Sequence, residues 1–288
     1  MSTHTTLILG DTTYPWIDIV DRGARAATGL AEFGVNRNDS IALLLRNDPP
    51  FFEVTTAAQR LGAYSVPINW HFTADEVLHV LRDSNAKALV VHADLFHGIR
   101  DRLPEELLVL VIETPSTIQA AYAIDPILCQ VPNDMHSWSD WLSNHPPRNI
   151  QPDSVPTAMM YTSGTTGRPK GVRREAASAE QADKLRSTEP QVLGNRPGMR
   201  VVICGPLYHA APIHFARVAL DTGTLMVLQP RFDALELLQL IQRHRITGMF
   251  LAPIMFVRLL KLPESQRLQY DISSLEHVIH AGAVCPPS

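Results

Sequence analysis

Between Tyr161 and Gly171 the chain reads YTSGTTGRPKG, with three glycines, four small hydroxyl side chains, one proline and one lysine in eleven residues. Those residue types suit a phosphate. Glycine lets the backbone turn with positive φ and approach an anion closely, and successive N–H groups in such a turn form an anion-binding nest. Thr162, Ser163, Thr165 and Thr166 add rotatable hydroxyl donors, and Lys170 adds a compact positive charge. Gly164, Gly167 and Lys170 are spaced G-x-x-G-x-x-K. A Walker loop needs G-x-x-x-x-G-K-[ST], so this is a different phosphate loop. Just beyond Thr166, the cations Arg168, Lys170, Arg173 and Arg174 stand against one acid, Glu175, in a chain whose net charge is −4. A solvated surface loop is the alternative reading. The apolar strand before the loop, the lysine and the local positive charge favour the anion site.

Two later stretches carry further candidates. GPLYHAAP (Gly205 to Pro212) sets Tyr208 and His209 at a strand-to-helix turn. HAGAVCPPS (His280 to Ser288) places Ala281, Gly282 and Ala283 directly after a strand. Ligands of open α/β sheets bind at that end of the strands, and small residues there leave room for one. Plain packing is the competing reading for Tyr208, and a tight strand exit for the three small residues. The pairs His209/His214 and His277/His280 lack cysteines or carboxylates at ligand spacing, so no zinc site is expected. Cys129, Cys204 and Cys285 are widely spaced and odd in number, which argues against a disulfide framework.

These residues need a scaffold, and the pattern supplies one. WIDIVDRGARAATGLAEFG puts Ile19, Gly23, Ala26, Leu30 and Phe33 on one helical face, closed by Gly34. SIALLLRND, AYSVPIN and AKALVVH read as buried strands, with helices in PPFFEVTTAAQRLG and TADEVLHVLRDS between them. Thr73 and Glu76 form a capping box for the second helix. From Leu103 to Asp153 only LLVLVIE reads as a strand; the rest reads as surface connection. TAMMY leads as a strand into the phosphate loop, REAASAEQADKLRS reads as a helix, and STEPQVLGNRPG reads as loop. MRVVICG, TLMVLQ, ITGMFLA and LEHVIHAG are four more strands, alternating with three helices. One of these helices has Asp233 as N-cap and Ala234, Leu237, Leu238 and Ile241 as its buried stripe. Apolar strands alternating with helices predict a mostly parallel α/β fold.

The composition excludes several classes. Lys plus Arg number 25 and Asp plus Glu 29, so the basic excess of a nucleic-acid binder is absent. No apolar run reaches the ~18 residues of a membrane span. The N-terminus has no basic segment ahead of a long apolar run, so no signal peptide is expected. These features point to a soluble, cytoplasmic protein.

YTSGTTGRPKG resembles the signature phosphate loop of the adenylate-forming acyl-CoA synthetase (AMP-binding) superfamily, which also holds luciferases and peptide-synthetase adenylation domains. GPLYHAAP resembles that family's aromatic-histidine motif beside the acyl pocket, and HAGAVCPPS the start of its small-residue motif at the acyl-adenylate site. Val284 departs from the proline often seen there. The resemblance runs from about Trp16 to Ser288. It implies an ATP-dependent acid–CoA ligase that uses Mg·ATP and coenzyme A and forms an acyl-adenylate, then a thioester. It implies phosphate contacts from Thr162, Ser163, Gly164, Thr165, Thr166, Gly167 and Lys170, with Lys170 and His209 catalytic. Tyr208, His209, Ala281, Gly282 and Ala283 would line the acyl-adenylate pocket. An amino-acid-activating relative would carry an Asp near GPLYHAAP; none is present, which favours a hydrophobic fatty or aryl acid.

The resemblance further implies two mostly parallel α/β subdomains of an incomplete N-terminal large domain. One joins about residues 10–68 to about 190–288, and the other takes about 69–189 with the phosphate loop 161–171. The family's magnesium-holding aromatic-Gly-x-Thr-Glu segment, its ribose-binding Asp and the mobile C-terminal domain with its Lys are not among the 288 residues. The expectation is therefore an N-terminal fragment, inactive by itself, with no metal ligand of its own. A non-catalytic nucleotide- or acyl-binding module and a luciferase-type relative are the alternatives. The expected partner is a small carboxylic acid, and a homo-oligomer stays open.

Overall fold

The computed structural model describes residues 5–150, 152, 154–162 and 168–284. The chain opens with β1 (Thr6–Leu9) and β2 (Thr12–Pro15), an antiparallel hairpin, and enters α1 (Trp16–Glu32). Ile19, Ala26 and Leu30 of α1 are buried as their spacing predicts, whereas Phe33 is half exposed. The helix stops at Glu32 and Gly34 turns the chain with φ 99°, so Phe33 never joins the stripe.

Next come β3 (Ser40–Leu44), α2 (Pro49–Leu61), β4 (Tyr64–Pro67), α3 (Ala74–Asp83) and β5 (Ala86–His92). Pro49 starts α2 with its φ already helical, and Gly62 ends it in the left-handed conformation that helix C-termini favour. The capping box of α3 is formed: the Thr73 hydroxyl accepts from the Glu76 N–H, and the Glu76 carboxylate accepts from the Thr73 N–H at 2.8 Å. A short α4 (Ala93–Phe96) follows, and β6 (Leu108–Ile112) is the strand expected in LLVLVIE; the region expected as connection around it also holds α5 (Ser116–Tyr122), β7 (His136–Ser137) and α6 (Trp138–Ser143). Trp138 and Leu142 anchor α6 in the core. These elements are too short to show a period in the sequence.

The remainder is β8 (Met160–Thr162), β9 (Lys170–Val172), α7 (Ala179–Val192), β10 (Arg200–Ile203), α8 (Ala210–Thr222), β11 (Leu225–Leu228), α9 (Ala234–His244), β12 (Gly248–Leu251), α10 (Pro253–Leu260), α11 (Glu264–Arg267) and β13 (His277–His280). α7 runs through Pro190 into the stretch expected as loop. None of its residues is buried, so no apolar stripe marked its true extent. α9 begins as predicted: Asp233 accepts from the Glu236 N–H at 2.8 Å, and Ala234, Leu237, Leu238 and Ile241 are buried.

The fold is mixed α/β with mostly parallel sheets. Among the described residues one sheet has the order β13-β12-β10-β11-β1-β2, parallel except for the β1–β2 pair. The other has the order β4-β3-β5-β6-β7 and is parallel throughout. Strands β3, β4, β11 and β12 are buried along their whole length, the signature of a parallel sheet covered on both faces. The chain divides into two compact units, Met1–Ile17 with Asp183–Ser288, and Asp18–Ala182. Residues 18–68 were expected with 190–288 instead. They build the other unit because β3 pairs with β4 on one side and with β5 on the other. The N-terminal piece that joins the last third is only the β1–β2 hairpin and the start of α1; β1 pairs with β11.

α1 and α2 cross at Gly23. A Cβ there would lie 2.7 Å from Thr56 Cβ and 2.8 Å from the Glu53 carbonyl oxygen. Gly23→Ala is expected to destabilise the fold by about 1–2 kcal/mol, because the overlap outweighs alanine's better helix propensity. Urea unfolding checks this, and an unchanged or raised midpoint would show that the helices can part at no cost.

Candidate functional site

The phosphate-loop candidates hang on a hairpin. β8 and β9 pair antiparallel with Tyr161 opposite Gly171 and Thr162 opposite Lys170. Directly paired residues lie about 5 Å apart between Cα atoms, so Thr162 and Lys170 form the mouth of a closed loop. Ser163, Gly164, Thr165, Thr166 and Gly167 lie outside the described residues. Both mouth residues are exposed, and Lys170 is paired with no carboxylate among the described residues.

Side chains alternate along a strand, so Tyr161 and Gly171 share the face opposite to Thr162 and Lys170. Gly171 is needed there. A Cβ on it would come within 2.6 Å of the Tyr161 ring and 2.5 Å of Met159. The Tyr161 ring therefore lies across Gly171, and its hydroxyl donates to Asp83 Oδ2 at 2.6 Å. Burial first, and then the Asp83 carboxylate, hold the phenol well above its ordinary pKa, so it stays a donor. One turn earlier on α3, His79 Nε2 lies 2.9 Å from the Pro169 carbonyl oxygen. The Met159 N–H donates to the Ser65 carbonyl of β4 at 2.9 Å, and the Tyr64 hydroxyl donates to the Arg174 carbonyl at 3.0 Å. Arg173 stacks over the Tyr64 ring at 4.4 Å and donates to the Asn38 carbonyl. Near the loop, a hydrogen bond from Arg102 and its charge hold the Asp75 carboxyl below the usual range, with Arg168 and Arg82 adding to the effect.

The other candidates sit on the six-stranded sheet. Tyr208 and His209 follow β10, with ring centroids 4.3 Å apart. Tyr208 is buried and His209 exposed, and His209 is the N-cap residue of α8. Ala281, Gly282 and Ala283 follow β13 and are exposed. β10 and β13 are parallel strands flanking β12, so both segments leave the same carboxyl edge. They are separated by two strand spacings, about 10 Å. α10 rises between them: its Phe256 ring meets His280 edge-on at 6.1 Å. The N-terminus of α8 adds its partial positive charge to this edge. Cys204, buried at the end of β10, has its thiol pushed up to about 12 by burial.

The structure thus brings Thr162 to Lys170, and Tyr208 and His209 to the edge that carries Ala281–Ala283. The hairpin and that edge belong to different units. Sequence reading passed over His79 and Asp83: a polar face on an amphipathic helix carries no signal of what it touches. His214 faces Glu189 and Arg217, and burial first and then the Arg217 charge lower its pKa. Among the described residues no group of three or more His, Cys, Asp or Glu side chains is placed to hold a metal ion. No helix among them is long and apolar enough to cross a membrane.

A family model described as "AMP-binding enzyme" matches residues 2–288. The chain is 30% identical over 283 residues to 4-coumarate–CoA ligase 1 of Petroselinum crispum, covering 94% of this chain and 47% of that relative. It is 29% identical over 288 residues to 4-coumarate–CoA ligase 3 of Arabidopsis thaliana, covering 96% and 48%. Its structure resembles an anthranilate CoA ligase in complex with anthranoyl-AMP, with a TM-score of 0.80 at 23% identity, over 98% of this chain and 52% of that one. A red-emitting luciferase from Phrixothrix hirtus matches with a TM-score of 0.78 at 20% identity, over 98% and 53%. At such identities these two structures speak for the fold alone. The chain spans about half the length of these curated relatives.

Proposed function

The chain belongs to the AMP-binding enzyme family of adenylate-forming acid–CoA ligases, and we infer from this that it serves ATP-dependent activation of a hydrophobic carboxylic acid. In this reading a carboxylate oxygen of the acid attacks the α-phosphate of ATP. The bond from that phosphorus to the pyrophosphate oxygen breaks, giving an acyl-adenylate and pyrophosphate. The coenzyme A thiol then attacks the acyl carbon and expels AMP.

The observation that supports this reading is the hairpin register, which pairs the exposed Thr162 with the exposed Lys170 on either side of the stretch Ser163, Gly164, Thr165, Thr166 and Gly167. Charge accumulates on the departing pyrophosphate, and donors aimed at it lower the barrier without covalent work by the protein. His209, Tyr208 and the small residues Ala281, Gly282 and Ala283 are assigned to the acid side, at the carboxyl ends of β10 and β13. Magnesium would enter with ATP; the described residues offer it no cluster of ligands, and no step of this reading depends on a protein-held metal. The segment Gly205 to Pro212 holds no acidic side chain to pair an α-ammonium group. The acid in the names of the sequence relatives, 4-coumarate, is an aryl acid, which supports the aryl class.

The test is ATP–pyrophosphate exchange by the intact protein across a panel of aryl, fatty and amino acids. Exchange driven by aryl acids is the expected result. No exchange with any acid, together with retained nucleotide binding, would favour a non-catalytic binding module. The family's ribose-binding Asp and mobile Lys are not among residues 1–288, so those residues alone are expected to form no thioester. Thioester formation by residues 1–288 would overturn that assignment of roles.

A further inference from the structure

We propose that α3 is the platform that sets the phosphate loop, with His79 and Asp83 as positioning residues that clamp its two limbs. This rests on the phosphate-binding reading of the loop given above.

Three observations converge. First, the clamp residues are four apart on one helix, so they share a face about 6 Å apart along the axis. Second, each takes a different limb of the hairpin. Asp83 Oδ2 accepts a hydrogen bond from the hydroxyl of Tyr161, the residue before Thr162, at 2.6 Å. His79 Nε2–H donates to the carbonyl of Pro169, the residue before Lys170, at 2.9 Å. The two residues that form the mouth of the loop are therefore each one peptide away from an anchor. Third, the opposite face of α3 is fixed. Val77, Leu78, Val80 and Leu81 are buried, and the capping box secures the first turn. A helix held in this way does not follow the hairpin; the hairpin follows it.

Gly171 completes the arrangement. Only a residue without Cβ lets the Tyr161 ring cross the hairpin and reach Asp83. Glycine at the end of the stretch thus serves the clamp. An anion nest binds well only when its N–H groups already point at the ligand, because ordering the loop on binding subtracts from affinity. Two hydrogen bonds from a rigid helix supply that order in advance.

The test uses calorimetric titration of inorganic pyrophosphate and of Mg·ATP, together with amide hydrogen exchange over residues 159–173 without ligand. His79→Leu and Tyr161→Phe each remove one clamp bond. His79→Gln keeps an N–H donor and Asp83→Asn keeps an acceptor. Each broken bond is expected to weaken pyrophosphate binding by about threefold to tenfold and to speed exchange in 159–173. The retaining variants should stay near wild type in both, and thermal midpoints should move little. Wild-type affinity and exchange in the broken variants would overturn the proposal. So would faster exchange spread over the whole of Asp18–Ala182, or retaining variants as impaired as the broken ones. If the wild-type protein binds neither ligand, the phosphate reading itself fails. The clamp is then judged by exchange in 159–173 alone.

Discussion

Lys170→Ala is expected to slow ATP–pyrophosphate exchange by about 10² to 10³, with acid binding within about threefold of wild type. Lys170 sits at the mouth of the loop, opposite Thr162, and is exposed and unpaired by any carboxylate among the described residues. Among the described residues its ammonium makes no ion pair that holds the fold. In the proposed reaction the mutation would remove a charge whose worth rises as the pyrophosphate leaves and gathers negative charge. Losing one such transition-state contact costs about 2.7–4 kcal/mol. The acid is assigned to other residues, at the carboxyl edge of the other sheet, so its affinity should be nearly untouched. The measurement is exchange rate against acid and ATP concentration in the intact protein. An exchange rate within threefold of wild type would remove Lys170 from the reaction. A loss confined to the Michaelis constant for ATP would make it a ground-state anchor only.

The parts of this molecule that sequence reveals are those governed by neighbours along the chain. The cap at Thr73, the cap at Asp233 and the apolar strands were all legible, because each follows from residues within one or two turns of each other. The glycine-hydroxyl stretch is likewise a local pattern, and its phosphate role is a proposal. Which sheet a strand joins is decided by partners far along the chain. SIALL is equally apolar whether it sits beside β10 or beside β5, so the assignment of residues 18–68 had nothing local to rest on. The β1–β2 hairpin was missed although Gly10-Asp11 is a two-residue turn with glycine first, a recognised hairpin signal, and Gly10 has φ 60°. The clamp beneath the loop was beyond reach, since His79 and Pro169 are separated by 90 positions.

Arg22→Met is expected to cost about 3 kcal/mol at pH 8, and less at pH 5, because it strands a buried carboxylate. Glu53 sits on the inner face of α2 with only 3% of its surface exposed. One oxygen accepts from Arg22 Nε at 2.6 Å and the other from Trp138 Nε1 at 2.6 Å. Burial nonetheless dominates and pushes its carboxyl above the ordinary glutamate value, with the nearby Asp48 charge adding to the rise and Arg22 opposing it. The sign follows from proton binding. A carboxyl whose pKa is higher folded than unfolded binds its proton more tightly in the native state. Its stabilising contribution is complete below the unfolded value and is lost as pH rises through the folded one. Taking away Arg22 raises the folded value further, so the penalty for ionising Glu53 grows towards alkaline pH. As pH falls through the raised folded value the carboxyl takes up a proton and much of the penalty disappears. Breaking a buried pair typically costs 3–5 kcal/mol, and the partly exposed Arg22 side chain sets the estimate at the low end of about 3. For a unit of this size that lowers the thermal midpoint by roughly 6–12 °C at pH 8. Denaturant unfolding of wild type and variant at pH 5 and pH 8 gives the two differences directly. Equal deficits at both values would mean that losing Arg22 does not change the proton occupancy of Glu53 over that range, and would overturn the pH dependence.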